Sequence, residues 1–461
     1  MLRRLFSHLR KESFLWTALL LAAVIYGLIS LVNHYCFRTY TLDLGAYTNA
    51  LYDYAHFSWN DSTTFKETPE NLLADHFDLY LPLFSPLVYL FGSYTLLIVQ
   101  LVAVLFGALG VYRYMEFRFP DSNLKRYALL YFLLFFGIFA AFSFDYHSNV
   151  VAAMIVPWLF LAFERKQFWR IIVLSMLFLI AKENMALWLV FLGLGWGYLY
   201  RKDRRMRYLA IGIAGFSVMY FVLITGVVMP ALSVAGKYPH FHYSVLGQNG
   251  GQAIKHLIAH PLDSLRVLFV NHTSFPQNDF VKAEFWIVLM VSGVFCLRKP
   301  VYLLMLVPVI AQKLFHDNVA MWGINQHYAI ELAPVLAIGT FESIAIIRSF
   351  RWKRIASVAA VMLSLFCAVR VMDNTIAYAE KARIRVYKEA HYNREFSITE
   401  AYTVLNSIPD NVPVSAQSAF VPHLSLRPSV YQFPIVRDAE YILLSSVENP
   451  YPLQQEDFIQ K

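Results

Sequence analysis

The sequence predicts an all-α polytopic membrane protein with a small α/β cap, and three observations carry that reading. Hydrophobic residues make up 58% of the 461-residue chain and charged residues only 15%, whereas soluble domains hold charge at about a quarter of their positions. Apolar runs recur as far as residue 370, and they are read as crossings of a hydrocarbon core that needs ~20 residues, though several are short. Beyond residue 370 that pattern stops, and short β-like runs appear between Pro409, Pro413, Pro422, Pro428 and Pro434.

Eleven spans are expected, at about 14–33, 93–115, 127–143, 149–163, 170–182, 184–200, 207–229, 284–298, 300–315, 328–347 and 354–370. Arg3, Arg4, Arg10 and Lys11 precede the first, as in a signal peptide. The run is long, however, and Asn33-His34-Tyr35-Cys36 offers no small-residue cleavage site, so it reads as an uncleaved span. Lys182-Glu183-Asn184 divides the fifth and sixth spans. Two short helices are favoured over one long one, because an ionisable pair at the midplane is costly.

Sidedness supports the same count. Of the 39 Lys and Arg, 22 fall in alternate connections counted from the N-terminus and 8 in the opposite short segments. Positive-inside then puts the N-terminus in the cytoplasm and the polar loops and tail outside. The net charge of +8 is accounted for by orientation, and no nucleic-acid partner is needed. Cys36, Cys296 and Cys367 are odd in number and fit neither a disulfide framework nor a zinc spacing.

The chain therefore divides into a transmembrane domain, 1–370, and an external cap, 371–461. Within the first, loop 34–92 should carry membrane-surface helices. Leu44, Tyr47, Leu51, Tyr54 and Ala55 recur at helical spacing and predict one of them. Segment 79–90 is apolar but broken by Pro82 and Pro86, and predicts a re-entrant or surface helix. A second large external loop, 231–283, is rich in His, Gly and Asn. In the cap, a charged helix over 378–395 should precede strands at 412–416, 430–433 and 440–444.

The polar residues at the outer boundary are the candidate site, each with a plainer reading beside it. Asp43 can do chemistry on a lipid head group or merely cap the helix that follows. Asp75-His76 can support a site, ligate a metal or form a polar turn. Asp145 and His147 sit at a short external turn, where a capping Asp and an interfacial His would be ordinary. Lys182 and Glu183 are functional by default between two membrane helices, unless they simply neutralise each other. Gln326, His327 and Tyr328 open the tenth span, where an interfacial aromatic belt is the plain alternative. Asp43, Asp75, His76, Asp145 and His147 offer oxygen and nitrogen ligands to a divalent cation, but no helix carries a metal-binding spacing. No other cofactor is indicated. His240 and His242 read as solvated loop residues.

Six of these motifs, in order, resemble the bacterial membrane-protein family known as domain of unknown function 2079. They are Asp43-Leu-Gly45, Leu73-Ala-Asp75-His76-Phe77, Phe144-Asp145-Tyr146-His147, Lys182-Glu183-Asn184, Gln326-His327-Tyr328 and Val421-Pro422-His423-Leu424-Ser425. Asn184 stands where the family has a second acid, which argues against a role needing two carboxylates there. The resemblance implies a GT-C-like glycosyltransferase of the bacterial inner membrane. Such an enzyme takes a sugar from a polyprenyl-phosphate donor and passes it to an acceptor (glycan, lipid or protein) on the outer face. It also implies an acid in the first external loop, surface helices there and a C-terminal soluble domain. On that reading Asp43 is the general base of an inverting transfer. Asp75, His76, Asp145, His147, Lys182, Glu183, Gln326, His327 and Tyr328 bind substrate, with Lys182 on the donor phosphate. The rival readings are a lipid or solute transporter or flippase, and a non-catalytic envelope assembly protein.

Overall fold

The computed structural model describes residues 12–60, 64–373, 376 and 380–460. The basic residues Arg3, Arg4, Arg10 and Lys11, and Tyr378 at the start of the expected tail helix, lie outside that range. Helices or helix pairs occupy the positions of the expected spans. Among the described residues seven are long and apolar enough to cross a membrane: Ser13–Tyr35, Tyr80–Arg118, Leu124–Phe142, Arg204–Leu232, Pro276–Arg298, His327–Ala345 and Phe350–Asp373. Four apolar helices are shorter, Ser148–Glu164, Phe168–Leu179, Met185–Leu199 and Pro300–Leu314. Seven of the eleven expected spans thus meet the length and composition of a crossing, and the other four coincide with the shorter helices.

The helices differ in depth. His327–Ala345 is 89% buried and forms the centre of the bundle, while Arg204–Leu232 is 22% buried and lies at its edge. Polar groups collect at both ends of the central helix. His327 opens it, and near its other end Glu342 accepts a 2.5 Å hydrogen bond from the Tyr114 hydroxyl and pairs with Lys299. A buried carboxylate is tolerated there because its oxygens are satisfied.

The first loop follows the predicted helix but not its predicted surroundings. A five-residue π-turn, Thr41–Gly45, leads into the helix Ala46–Ala55. Leu44, Tyr47 and Leu51 are buried as their spacing requires, yet Thr48 and Asn49 on the intervening faces are buried too. The reason is that the C-terminal region folds over this helix. The Asn49 amide donates to the carbonyls of Ser425 and Arg427 at 3.1 and 3.0 Å. A Cβ on Gly45 would stand 3.1 Å from Val421, so glycine permits the close approach. The helix is therefore covered, not spread on a membrane surface. Segment 79–90 keeps Pro82 inside the short helix Tyr80–Phe84 and changes to a 3₁₀ turn, Ser85–Leu87, around Pro86 before Val88–Phe91, with Gly92 at φ +55° joining it to Thr95–Arg118.

The C-terminal region holds a three-stranded parallel sheet: β1 (Val414–Ala416), β2 (Val430–Gln432) and β3 (Tyr441–Leu443), in the order β2-β1-β3. Val414 pairs with Val430 on one side and with Tyr441 on the other. The central strand is buried on both faces, as parallel strands are. Phe37, from the end of the first helix, fills the core beneath it with Leu405, Val414, Phe420 and Val430. The strands are shorter than expected but lie at the expected places. The charged helix over 378–395 is corrected. Its described part, 380–395, holds only the 3₁₀ turns Lys381–Arg383 and Glu389–His391. Arg38 explains why, because its guanidinium binds the carbonyls of Ala390, His391 and Asn393 at 2.6–2.7 Å. Those carbonyls are drawn away from helical partners.

Candidate active site

Three turns at helix ends and two loops bring most of the singled-out residues together. The turn after Phe136–Phe142 delivers Asp145 and His147, the turn between Phe168–Leu179 and Met185–Leu199 delivers Lys182 and Glu183, and the start of the central helix delivers His327. Polar side chains suit these positions because the helix-end backbone groups there lack intrahelical partners.

Asp43 is not a cap. The helix after it, Ala46–Ala55, has Gly45 at its N-cap and no side-chain cap, and Asp43 Oδ1 instead lies 3.1 Å from His147 Nε2. His147 is held on its other side by its backbone, whose N–H donates to Gln100 Oε1 at 3.0 Å. Its ring lies on that of His327, with centroids 3.4 Å apart and planes at 16°. Gly137 makes that stacking possible, because its bare backbone lies against the Ala329 carbonyl, where a Cβ would stand 2.6 Å from the oxygen. Gln326, just before His327, adopts φ +58°, a region costly for any residue but glycine. Burial would push the Asp43 carboxyl up, but His147, then Lys182 and His76, hold it below its ordinary value. Asp43 is thus a carboxylate at neutral pH.

A second cluster adjoins the first. His76 Nδ1 lies 3.2 Å from Glu183 Oε1, and Glu183 also receives the Phe77 N–H at 3.2 Å and the Tyr238 hydroxyl at 3.3 Å. Glu183 therefore does not depend on Lys182 for a direct partner. Burial would raise its carboxyl, but His76 and Lys182 hold it low. Among the described residues the Lys182 ammonium makes no ion pair or hydrogen bond, although it acts electrostatically on Asp43, Asp78 and Glu183. Tyr47 faces both clusters: burial, then Asp43, Asp75, Asp78 and Glu183, raise its hydroxyl.

Asp145 has a different setting. Both oxygens are engaged, one by the Tyr40 N–H and one by Arg383, each at 2.8 Å. Burial pushes its carboxyl up to about 6, with Arg383 opposing. Tyr328 packs on His327 and lies 5.8 Å from the Lys313 ammonium.

His240 corrects the reading of it as a solvated loop residue. Its ring stacks on His76 at 4.0 Å, and its Nε2 lies 2.7 Å from the Asp75 carbonyl and 3.4 Å from the Asp75 carboxylate. His242 is exposed, as expected. Arg383 and His240 were not among the residues singled out for the site. Arg383 sits in a stretch that reads as an ordinary charged helix, and a histidine in a long polar loop gives no local signal. Asp75, His76 and His240 each offer one donor atom, all within 4.8 Å of one another, a set that could hold a metal ion.

Fold and site together define a multi-helix membrane protein with an ionisable cluster gathered between its helix ends and a folded C-terminal region. The chain belongs to the family described as a predicted membrane protein, DUF2079, whose model matches residues 33–459. No curated protein matches it.

Proposed function

We propose that this chain is a membrane glycosyltransferase that moves a sugar from a polyprenyl-phosphate donor to an acceptor on the outer face of the bacterial inner membrane. One observation carries the reading: Asp43 keeps a carboxylate oxygen free of any partner among the described residues, beside a lysine that lacks one. An ionised acid and an uncommitted cation at one boundary are the two groups such a transfer needs. Of the remaining proposed contacts, His76 and Tyr328 lie within electrostatic reach of Asp43 and Glu183 within that of Lys182, and Gln326 completes the proposed set.

The steps follow from these groups. Asp43 takes the proton of the acceptor hydroxyl as its oxygen attacks the anomeric carbon. The bond from that carbon to the phosphate oxygen breaks on the opposite face, inverting the configuration. The phosphate leaves as an anion and needs no general acid, only the charge of Lys182. His147 fixes the orientation of Asp43, and Asp145 with Arg383 secures the loop that carries it. The apolar groove of about 570 Å³ between Phe168–Leu179 and Arg204–Leu223 suits the carrier chain, since its wall ends at Leu179, just before Lys182. The eleven-span topology, with cap and site outside, accompanies this proposal.

The test is sugar transfer by purified protein reconstituted with a polyprenyl-phosphate-linked donor. Asp43→Asn should lower the rate by about 10²–10⁴-fold at unchanged yield. Unchanged transfer would remove Asp43 from the mechanism. Solute flux without any donor would favour a transporter.

A further inference from the structure

We propose that Asp75, His76 and His240 form a binding site for one divalent cation of the zinc class. The three side chains come from loop 34–92 and loop 231–283, and their donor atoms lie within 4.8 Å of one another. Two imidazoles and one carboxylate form a donor set that suits Zn²⁺ and leaves a fourth position open.

The surroundings are those of a ligand site. Glu183 lies 3.2 Å from His76 Nδ1, so that nitrogen carries the hydrogen and Nε2 keeps its lone pair for a metal. Glu183 is itself fixed by the Phe77 N–H and the Tyr238 hydroxyl, which gives the ring a set orientation. The side chains of Asp75, His76 and His240 are 25%, 17% and 29% exposed, enough for an ion to enter and keep a water.

The plain alternative is a hydrogen-bonded pair, His240 to Asp75, with His76 stacked beside it. That arrangement accounts for the 2.7 Å contact to the Asp75 carbonyl. It does not account for Glu183 fixing the His76 tautomer from a fully buried position. A cation here would lie beside Lys182 and present its open position to an anionic oxygen. The binding claim itself does not depend on the proposed transfer reaction.

The experiment needs neither donor nor acceptor. Full-length protein in detergent is stripped with a chelator, titrated with Zn²⁺ alone and followed by calorimetry and elemental analysis. Co²⁺ serves as a spectroscopic probe. One equivalent should bind, His240→Ala and His76→Ala should weaken binding at least tenfold, and Asp43→Asn should leave it unchanged. His240 lies in a loop, so its substitution should not disturb folding, and a thermal melt of each variant verifies that. Absence of stoichiometric binding, or binding indifferent to both histidines in folded protein, would overturn the proposal. Loss of transfer in Asp43→Asn with metal retained bears on the reaction alone, so the two ideas fail separately.

Discussion

Two histidine stacks adjoin in this molecule and are built for different work. His147 and His327 lie 3.4 Å apart, both nearly inaccessible, on turns fixed by helix ends. His76 and His240 lie 4.0 Å apart and remain partly open, and one of them arrives on a long loop. The inner stack presents one nitrogen to one carboxylate, Asp43. The outer stack stands among two carboxylates, Asp75 and Glu183. A closed, fixed imidazole orients a base, whereas an open pair with acidic neighbours suits a cation. On the proposed reading the inner stack serves proton transfer and the outer one ion binding.

The largest expected effect comes from breaking the anchor of the inner stack. Arg383→Met leaves the buried Asp145 carboxyl without its 2.8 Å partner, a loss of about 3–5 kcal/mol. It should appear as a much lower melting temperature in detergent. An unchanged melt would show that the inner turn is held by something else. Gly137→Ala should cost about 1–3 kcal/mol, because the added carbon meets the Ala329 backbone carbonyl. Transfer should fall with the His327 stack disturbed, while zinc binding at the outer stack persists. Loss of both would mean that the two stacks are one unit.

The smallest effect is a shift in pH dependence. Burial raises the Asp43 carboxyl, and His147 leads the groups that overcome it, so its folded value lies below its unfolded one. A lowered acid contributes stability above its unfolded value and loses it only as pH falls through the folded value. In wild type the acid limb of the rate should therefore lie below the ordinary range of a carboxylate. His147→Gln removes the leading opposing charge and should move that limb to higher pH. A limb that stays in place would show that His147 does not act on Asp43.

The inner stack was legible in the sequence and half of the outer one was not. Asp43, His147, Lys182 and His327 each interrupt or flank an apolar run, where a polar residue at a membrane boundary stands out. His240 lies in a segment without periodicity, and only its fold back onto His76 gives it a role. The same holds for Arg383, whose partner Asp145 is far away in the chain. The helix Ala46–Ala55 shows the limit of pattern most directly. Its spacing marks Tyr47 and Leu51 as buried, but the cover over Thr48 and Asn49 is supplied by residues beyond 420, which no local period can report. The cap was legible as three short strands between prolines, but the charge-rich stretch before it was not. Arg38 takes the carbonyls that a helix there would use.

The most direct test of the central claim is a structure of the protein soaked with a polyprenyl phosphate. The account predicts the phosphate within hydrogen-bond reach of Lys182, roughly 3 Å from its ammonium, with the free oxygen of Asp43 facing the same space. A phosphate bound elsewhere, with Asp43 and Lys182 unaltered from their positions here, would contradict it.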